Sequence, residues 1–249
     1  MVSHELRTPL TSIVAFADLL NKHIVPSNEK EARALRGIEA NSQALMLMIN
    51  DILEMSRLDA GRVKLNTEVV DVGDVIALVR ATAEPLALKE NLEFSCHVAP
   101  DVPLIRADFD KLVHVLQNLC GNAVKFTPDG GRVSVGASYD QDADAVQFTV
   151  ADTGIGIASV DHERIFEKFA QVDSSSTRRY NGTGLGLAIV REYVGMHGGS
   201  VSVESALGQG AAFVVRIPVS SPEKDEMDFD GDRADSTREE GAHGVGKAD

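Results

Sequence analysis

The first quarter of the chain carries two apolar seams, separated by a short polar break. Apolar or small residues recur in alternating steps of four and three, the repeat of a helix that packs along one face. The first seam predicts a helix from the start of the chain to about Val25, and Pro26 ends it. The second predicts a longer helix that ends near Ser56, with Gly61 able to adopt a left-handed C-cap conformation. The seam positions are Leu6, Leu10, Ile13, Ala17, Leu20 and Ile24, then Leu35, Ile38, Ser42, Leu45, Ile49, Ile52 and Ser56.

Neither helix can bury its apolar face alone, and Met46, Met48, Leu53 and Met55 make the second face wider. An antiparallel helical hairpin with such a face is expected to dimerise into a four-helix bundle. The alternative is that the hairpin packs against the remainder of its own chain.

From about Val69 the pattern changes to short strands that alternate with helices. This alternation predicts an α/β sandwich of about 150 residues. The turn Asp129-Gly130-Gly131 is expected to lead into a hairpin. The predicted strands are 92–98, 132–138, 146–150, 200–204 and 211–217, and the predicted helices are 72–89, 108–126 and 184–197.

The composition changes again at the end of the chain. Residues 220–249 hold ten acidic and four basic side chains, a net charge of -6, and few large apolar groups. Such a segment is expected to be disordered. We therefore expect a helical hairpin at 1–61, a sandwich at 62–219 and an acidic tail at 220–249.

Composition excludes some classes of function. The net charge of -14, the absence of Trp and an aromatic content of 5% argue against a nucleic-acid partner. Cys96 and Cys120 are too few for a disulfide framework, so we expect small buried hydrophobes in a reducing cytoplasm. No apolar run approaches the ~20 residues of a membrane span. We expect a cytoplasmic chain without a membrane segment.

The first candidate site lies on the predicted helix 108–126. Asn118, Asn122 and Lys125 recur at steps of four and three, which places them on one helix face. An amide oxygen can join the coordination shell of Mg²⁺, and an ammonium group can meet a phosphate, so the face suits Mg-ATP. A solvated polar face is the alternative.

The second candidate site follows the predicted strand 146–150. Asp152 stands at the strand end, where it can accept a hydrogen bond from an exocyclic amine. Gly154 and Gly156 let the backbone approach a flat ligand closely. Alone, the same spacing is as typical of an ordinary turn.

The third candidate site opens the predicted helix 184–197. Backbone amides at a glycine-rich helix start form a positive cradle for phosphate. Dinucleotide enzymes and plain turns use the same spacing, but here it comes late in the chain, after the polar stretch 171–181. The block consists of Gly182, Thr183, Gly184, Leu185 and Gly186, followed by Leu187 and Ala188.

The three candidate sites, which we call the first, second and third blocks, resemble motifs of sensor histidine kinases of two-component systems. The segment Ser3-His4-Glu5-Leu6-Arg7-Thr8-Pro9-Leu10 resembles a further motif of that family. The octapeptide is similar to the family's H box, and the three blocks to its N, G1 and G2 boxes. Residues 164–169 are similar to its F box, whose Phe166 and Phe169 we expect simply to anchor the following segment to the core. All five boxes occur in the family's order over residues 1–219.

The resemblance implies a dimeric phosphoacceptor hairpin followed by an ATP-binding domain of the type shared with Hsp90 and type II topoisomerases. His4 would be phosphorylated by ATP, with Glu5 orienting its ring, and would pass the phosphoryl group to an aspartate of a response-regulator receiver domain. Thr8 matches the position that directs water for dephosphorylating that partner. Asp152 would bind the adenine amino group, and Phe126 would complete the nucleotide site. The cofactors implied are ATP and Mg²⁺, the latter held through Asn122.

Two alternatives stay open. An ATPase of the same fold would need a water-activating glutamate at 114–117, where the chain reads His-Val-Leu-Gln. A catalytically silent, dimeric ATP-binding fragment is the other, because the chain begins three residues before His4. We therefore expect a truncation at the N-terminus, and the parent protein could be anchored to a membrane through the missing part.

Overall fold

The computed structural model describes residues 13–14, 20, 29–170 and 183–219. The first predicted helix lies almost entirely outside these residues, as do His4, Glu5, Thr8, Gly182 and the acidic tail. The hairpin, its dimerisation and the disorder of the tail therefore stay predictions.

The described chain consists of one long helix followed by a sandwich of helices and strands. All predicted helices and strands within the described ranges are confirmed, with ends that shift by a few residues. The elements, in order, are α1 (Glu29–Asp59), β1 (Glu68–Val70), α2 (Val72–Lys89), β2 (Glu93–Val98), β3 (Ile105–Ala107), α3 (Phe109–Phe126), β4 (Arg132–Asp140), β5 (Ala145–Asp152), α4 (Gly186–Met196), β6 (Ser200–Ser205) and β7 (Ala211–Pro218). Short 3₁₀ turns at Ser159–Asp161 and Arg164–Phe166 precede α4.

Helix α1 ends in the conformation that the sequence predicts. Gly61 has a φ of 61°, in the left-handed region. Its amide donates to the carbonyl of Leu58 at 2.9 Å, and the amide of Arg62 donates to the carbonyl of Arg57 at 3.0 Å. Together these two bonds form a Schellman motif, which satisfies the last carbonyls of the helix.

The main sheet has five strands in the order β2-β4-β5-β7-β6. Strand β2 pairs with β4 in parallel, and the other neighbours are antiparallel. The turn at Gly130, with a φ of 76°, leads into the β4–β5 hairpin as predicted. A second sheet pairs the short strands β1 and β3. Neither of these two strands is predicted from the sequence, because three residues are too few to display an alternating pattern.

Helices α2, α3 and α4 pack on the five-stranded sheet and against one another. The α/β sandwich is thereby confirmed, with its core between the two layers. Aspartates start two of the helices: Asp71 accepts from the amide of Gly73 at 2.7 Å, and Asp108 accepts from that of Lys111 at 3.0 Å. No helix within the described ranges is both long and apolar enough to cross a membrane.

The two cysteines differ in their surroundings. Cys120 is 1% exposed on α3, and burial raises the pKa of its thiol to about 12. Cys96 on β2 is half-buried, and burial raises its thiol pKa as well. Burial is therefore confirmed for Cys120 and holds in part for Cys96, and both thiols stay protonated near neutral pH.

A buried histidine joins α4 to the start of α3. His197 is 1% exposed, and its Nε2 accepts from the amide of Asp108 at 3.0 Å. Its Nδ1 lies 2.7 Å from the carbonyl oxygen of Tyr193, so this nitrogen donates. Because one ring nitrogen accepts and the other donates, the ring is neutral in the fold. Burial lowers the pKa of His197, and the nearby Asp108 carboxylate opposes that shift.

We expect His197 to make the fold less stable in mild acid. Its pKa is lower in the folded chain than the ~6.5 of an unfolded histidine, so the unfolded state binds more protons below that pH. The contribution of the neutral ring is complete above about pH 6.5 and declines as the pH falls towards the folded value. Thermal unfolding of the chain and of His197→Asn at pH 7.5 and 5.5 measures this.

The variant should show a smaller loss of melting temperature between the two pH values than the unaltered chain. The exposed His97 on β2 offers the control, and His97→Asn should retain the full loss. Equal pH dependence in all three chains would contradict the assignment.

Candidate functional site

The polar face of α3 extends from the middle of the helix to its last residue. Asn118, Asn122, Lys125 and Phe126 are all half-buried. Asn118 donates through Nδ2 to the carbonyl of His114 at 3.1 Å, which fixes its side chain along the helix. Burial lowers the pKa of Lys125, whose Nζ lies 5.0 Å from the ring centroid of Phe126. This face therefore offers amide oxygens and an ammonium group beside an aromatic ring.

Asp152 ends β5 in a half-buried position. Its Oδ1 accepts from the amide of Gly154 at 2.7 Å and from that of Ala211 at 3.3 Å. Burial raises the pKa of Asp152, and these two hydrogen bonds oppose the shift. No described residue donates to Oδ2, so this oxygen can accept from the amine of a ligand.

Two positions of the loop after Asp152 have no room for a side chain. A Cβ on Gly154 would lie 2.5 Å from the carbonyl oxygen of Phe126. Gly156 has a φ of 69°, and a Cβ there would lie 2.0 Å from the carbonyl oxygen of Ala206. The amide of Ile155 donates to the carbonyl of Phe126 at 3.2 Å. The second block is thus joined directly to the end of α3.

The third block approaches α3 at a different residue from the second block, Asn118. Helix α4 begins at Gly186, and a Cβ on that residue would lie 2.7 Å from Oδ1 of Asn118. Leu185 is fully buried, and its amide donates to Oγ1 of Thr183 at 3.1 Å. Gly184 has a φ of 67°, and its carbonyl accepts from the amide of Phe169 at 2.9 Å. The first turn of α4 therefore presents its amides beside the polar face of α3.

The two phenylalanines of residues 164–169 have different roles. Phe166 is 7% exposed and packs edge-on against Phe213, with ring centroids 6.3 Å apart. Phe169 is 67% exposed and has a φ of 61°, which is unusual for a bulky residue. The expectation that both anchor this segment is correct for Phe166 and wrong for Phe169. The backbone amide of Phe169, rather than its ring, makes the contact with Gly184.

The structure brings the three blocks together, and the phosphoacceptor motif lies outside the described residues. Within the described ranges, no three His, Cys, Asp or Glu side chains are grouped so as to hold a metal ion. A divalent cation would therefore need ligand oxygens and water beside an amide such as Asn122, which fits the coordination that Mg²⁺ prefers.

Sequence reasoning missed the residues that join α1 to the sandwich. Thr183 donates through Oγ1 to Oδ2 of Asp51 at 2.9 Å, and Tyr193 donates its hydroxyl to Glu54. Nδ1 of His114 lies 3.5 Å from Glu54. Acidic residues on a predicted helix are usually solvated, so no local signal distinguishes these two.

Gly121 is a glycine of α3 that the site does not require. It is exposed, and a Cβ there would meet nothing within 4 Å. We expect Gly121→Ala to raise the free energy of unfolding by about 1 kcal/mol, because alanine loses less backbone entropy in a helix. Nucleotide affinity should stay unchanged, since the added methyl group touches no site residue.

Chemical denaturation measures this effect, and Gly131→Ala is the matched control. A Cβ on Gly131 would lie 2.3 Å from Cγ2 of Thr127, so that variant should be less stable. A loss of nucleotide binding in Gly121→Ala would contradict the expectation.

Two known families match separate parts of the chain. Residues 1–61 match the His Kinase A (phospho-acceptor) domain. Residues 107–221 match the histidine kinase-, DNA gyrase B-, and HSP90-like ATPase family. The second match includes α3, Asp152 and the first turn of α4, so the three blocks lie within it.

Curated relatives agree with these families. The chain is 43% identical over 230 residues to hybrid signal transduction histidine kinase D of Dictyostelium discoideum, covering 90% of the chain and 15% of that protein. It is 32% identical over 228 residues to sensor histidine kinase WalK of Bacillus subtilis, covering 91% of the chain and 37% of that protein. The chain thus spans well under half the length of these relatives.

Solved structures give the same result. Full-length ShkA, crystallised with AMPPNP, matches 88% of the chain and 45% of its own length, with a TM-score of 0.73 and 35% identity. The mycobacterial sensor histidine kinase MprB matches 62% of the chain and 99% of its own structure, with a TM-score of 0.52 and 30% identity. From its motifs, its fold and these relatives, the chain belongs to the sensor histidine kinases of two-component systems.

Proposed function

We propose that the chain is an ATP-dependent protein histidine kinase that phosphorylates itself on His4. It would then transfer the phosphoryl group to an aspartate of a response-regulator receiver domain in the cytoplasm. One observation carries the proposal: three blocks that are far apart in sequence meet along the second half of α3. The glycine-rich block approaches α3 at Asn118, and the loop after Asp152 contacts it at Phe126. A site that combines amide oxygens, an aspartate and a glycine-rich helix start suits a nucleoside triphosphate.

The hairpin at 1–61 would carry the phosphoacceptor, and residues 62–219 would bind ATP. The exposed apolar residues of α1 support a dimeric bundle. Ile38, Leu45 and Ile52 recur every seven residues and are 48%, 45% and 49% exposed. A seven-residue apolar repeat is the seam along which helices pack into coiled bundles. A four-helix homodimer would cover this seam.

Nucleotide binding would use each block for one part of ATP. Oδ2 of Asp152 would accept from the adenine amino group, next to the loop of Gly154 and Gly156. The amides from Gly182 to Gly186, with Thr183, Gly184 and Leu185 between them, would surround the phosphates at the start of α4. Phe126 would lie against the nucleotide at the end of α3.

Charge on the phosphates would be met from α3. The ammonium group of Lys125 would contact phosphate, and Asn118 would hold the first turn of α4 in place through its contact with Gly186. Asn122 would supply an amide oxygen to Mg²⁺, which neutralises phosphate charge when it is bound.

Phosphoryl transfer would begin at the neutral ring of His4. A ring nitrogen has a lone pair at neutral pH, and it would form a bond to the γ-phosphorus while the bond to the leaving ADP breaks. Glu5 would orient the ring through its other nitrogen and accept the proton released there. The product is a phosphohistidine, whose phosphoryl group can move on to a carboxylate.

An ATPase that only hydrolyses nucleotide is less well supported. Such an enzyme needs a water-activating acid on α3 near the phosphates. At position 114 the chain has a histidine whose ring packs edge-on against Tyr193, with centroids 5.7 Å apart.

Incubation of the purified chain with Mg²⁺ and ATP labelled at the γ-phosphate tests the proposal. The protein should acquire a label that is stable to base and labile to acid, as an N–P bond requires. Subsequent addition of a receiver domain should move the label to that domain in an acid-stable form. Nucleotide binding without any label would instead indicate a catalytically silent ATP-binding fragment.

A further inference from the structure

The last three turns of α1 contact the sandwich through three carboxylates, which we call the acidic end of α1: Asp51, Glu54 and Asp59. Oδ2 of Asp51 accepts from Oγ1 of Thr183 at 2.9 Å, and Glu54 accepts from the hydroxyl of Tyr193. Asp59 forms an ion pair with Lys168. Met55 lies between them and is 4% exposed within the common core. The acidic end is therefore docked on the sandwich at several points.

The contact at Asp51 lies on the glycine-rich block itself. Thr183 donates its hydroxyl proton to Asp51, while the same oxygen accepts from the amide of Leu185 at 3.1 Å. Leu185 directly precedes α4, whose first amides form the proposed phosphate cradle. The hydroxyl group of Thr183 thus links the carboxylate of Asp51 to this cradle by hydrogen bonds.

Negative charge at this position favours the nucleotide-free state. A carboxylate beside a phosphate cradle repels a triphosphate, and the repulsion is stronger in a partly desolvated place than in open water. Asp51 is half-buried, and this burial raises its pKa, while the Thr183 hydrogen bond opposes the shift. The groups that also face it are His114 on α3 and Glu54 on its own helix.

We propose that Asp51 couples the docking of α1 to nucleotide occupancy, holding Thr183 when the phosphate cradle is empty and opposing triphosphate binding by its charge. This inference rests on the proposed nucleotide site. Coupling of this kind is reciprocal: release of the acidic end raises affinity for nucleotide, and bound nucleotide loosens the acidic end. The helix that would carry the bundle seam is thereby linked to the nucleotide site.

Calorimetric titration with Mg-ATP of the full chain, Asp51→Asn and Asp74→Asn tests the coupling. Asparagine keeps the size of Asp51 and an oxygen that can accept from Thr183, but it removes the charge. We expect Asp51→Asn to bind roughly three- to tenfold more tightly, the effect of about 1 kcal/mol of charge repulsion at a partly buried site. Asp74 is exposed on α2, so Asp74→Asn makes the same change in net charge and should bind like the unaltered chain.

A second measurement uses the unaltered chain and does not depend on the folding of a variant. Hydrogen exchange of residues 51–59 should become faster when Mg-ATP is added, because the acidic end is released. Affinity of Asp51→Asn equal to that of the control, or exchange at 51–59 that is unchanged or slower with nucleotide, would overturn the coupling alone. Absence of nucleotide binding in all three chains would overturn the proposed site and the coupling with it.

Discussion

A His4→Gln chain should acquire no phosphoryl label from ATP, with the signal reduced to background. Glutamine has a similar length, but its amide nitrogen is delocalised into the carbonyl group and offers no lone pair to phosphorus. The variant should still bind nucleotide, because His4 lies in the part of the chain that matches the phospho-acceptor domain, and the proposed nucleotide residues lie outside that part. Labelling with γ-labelled ATP and calorimetric titration, carried out on the same preparation, separate the two properties.

His23 supplies the matched control for this experiment. It lies in the same predicted helix, but Ile-Val-Pro-Ser follows it where Glu-Leu-Arg-Thr-Pro follows His4, so His23→Gln should retain the label. An acid-labile label that persists in His4→Gln would show that another histidine is the nucleophile. Loss of nucleotide binding together with the label would show that the substitution affects more than the phosphoacceptor.

An Asp152→Asn chain should bind ATP roughly ten- to a hundredfold more weakly, the effect of losing a hydrogen bond to a charged group. Asn can still accept from the amides of Gly154 and Ala211 through its oxygen. Its NH₂ group would then replace Oδ2 and face the adenine amine, so that two donors oppose each other. The variant removes recognition while preserving the loop.

Asp152→Asn should weaken ATP binding without lowering the stability of the fold. Burial raises the pKa of Asp152, which means that the fold disfavours the ionised form, and a neutral Asn should be tolerated or stabilising. Thermal unfolding beside calorimetric titration measures both effects. Asp142→Asn, in the exposed turn between β4 and β5, removes the same charge and should leave affinity unchanged. A fall in melting temperature that parallels the loss of affinity would contradict the assigned role.

The chain illustrates why periodic elements are easy to predict and short ones are not. Helix α3 repeats its buried positions over five turns and has an aspartate at its start, so its ends follow from local sequence. Strand β1 has three residues and depends on its pairing with β3, whose sequence lies more than thirty residues away. The parallel pairing of β2 with β4 likewise follows from packing and not from the pattern of either strand.

Some features of the candidate site can likewise be predicted from the sequence, and others cannot. Glycine at 154, 156 and 186 is dictated by close backbone or side-chain approach, and such glycines are visible in a sequence as unusual spacing. The sequence does not show that Phe166 is buried and Phe169 is exposed. Both are aromatic residues of one short segment, and only the surrounding core decides that one ring is covered and the other exposed.

By itself, the sequence determined the long helices and strands, the order of the motifs and the family, because periodicity and glycine spacing act over a few residues. The tertiary structure decided which distant groups meet. Thr183 and Asp51 are separated by 132 positions, and a contact over that distance leaves no periodic trace in either segment. Since acidic side chains on a helix face are solvated unless another part of the fold covers them, the acidic end of α1 acquires its role only from the sandwich beside it.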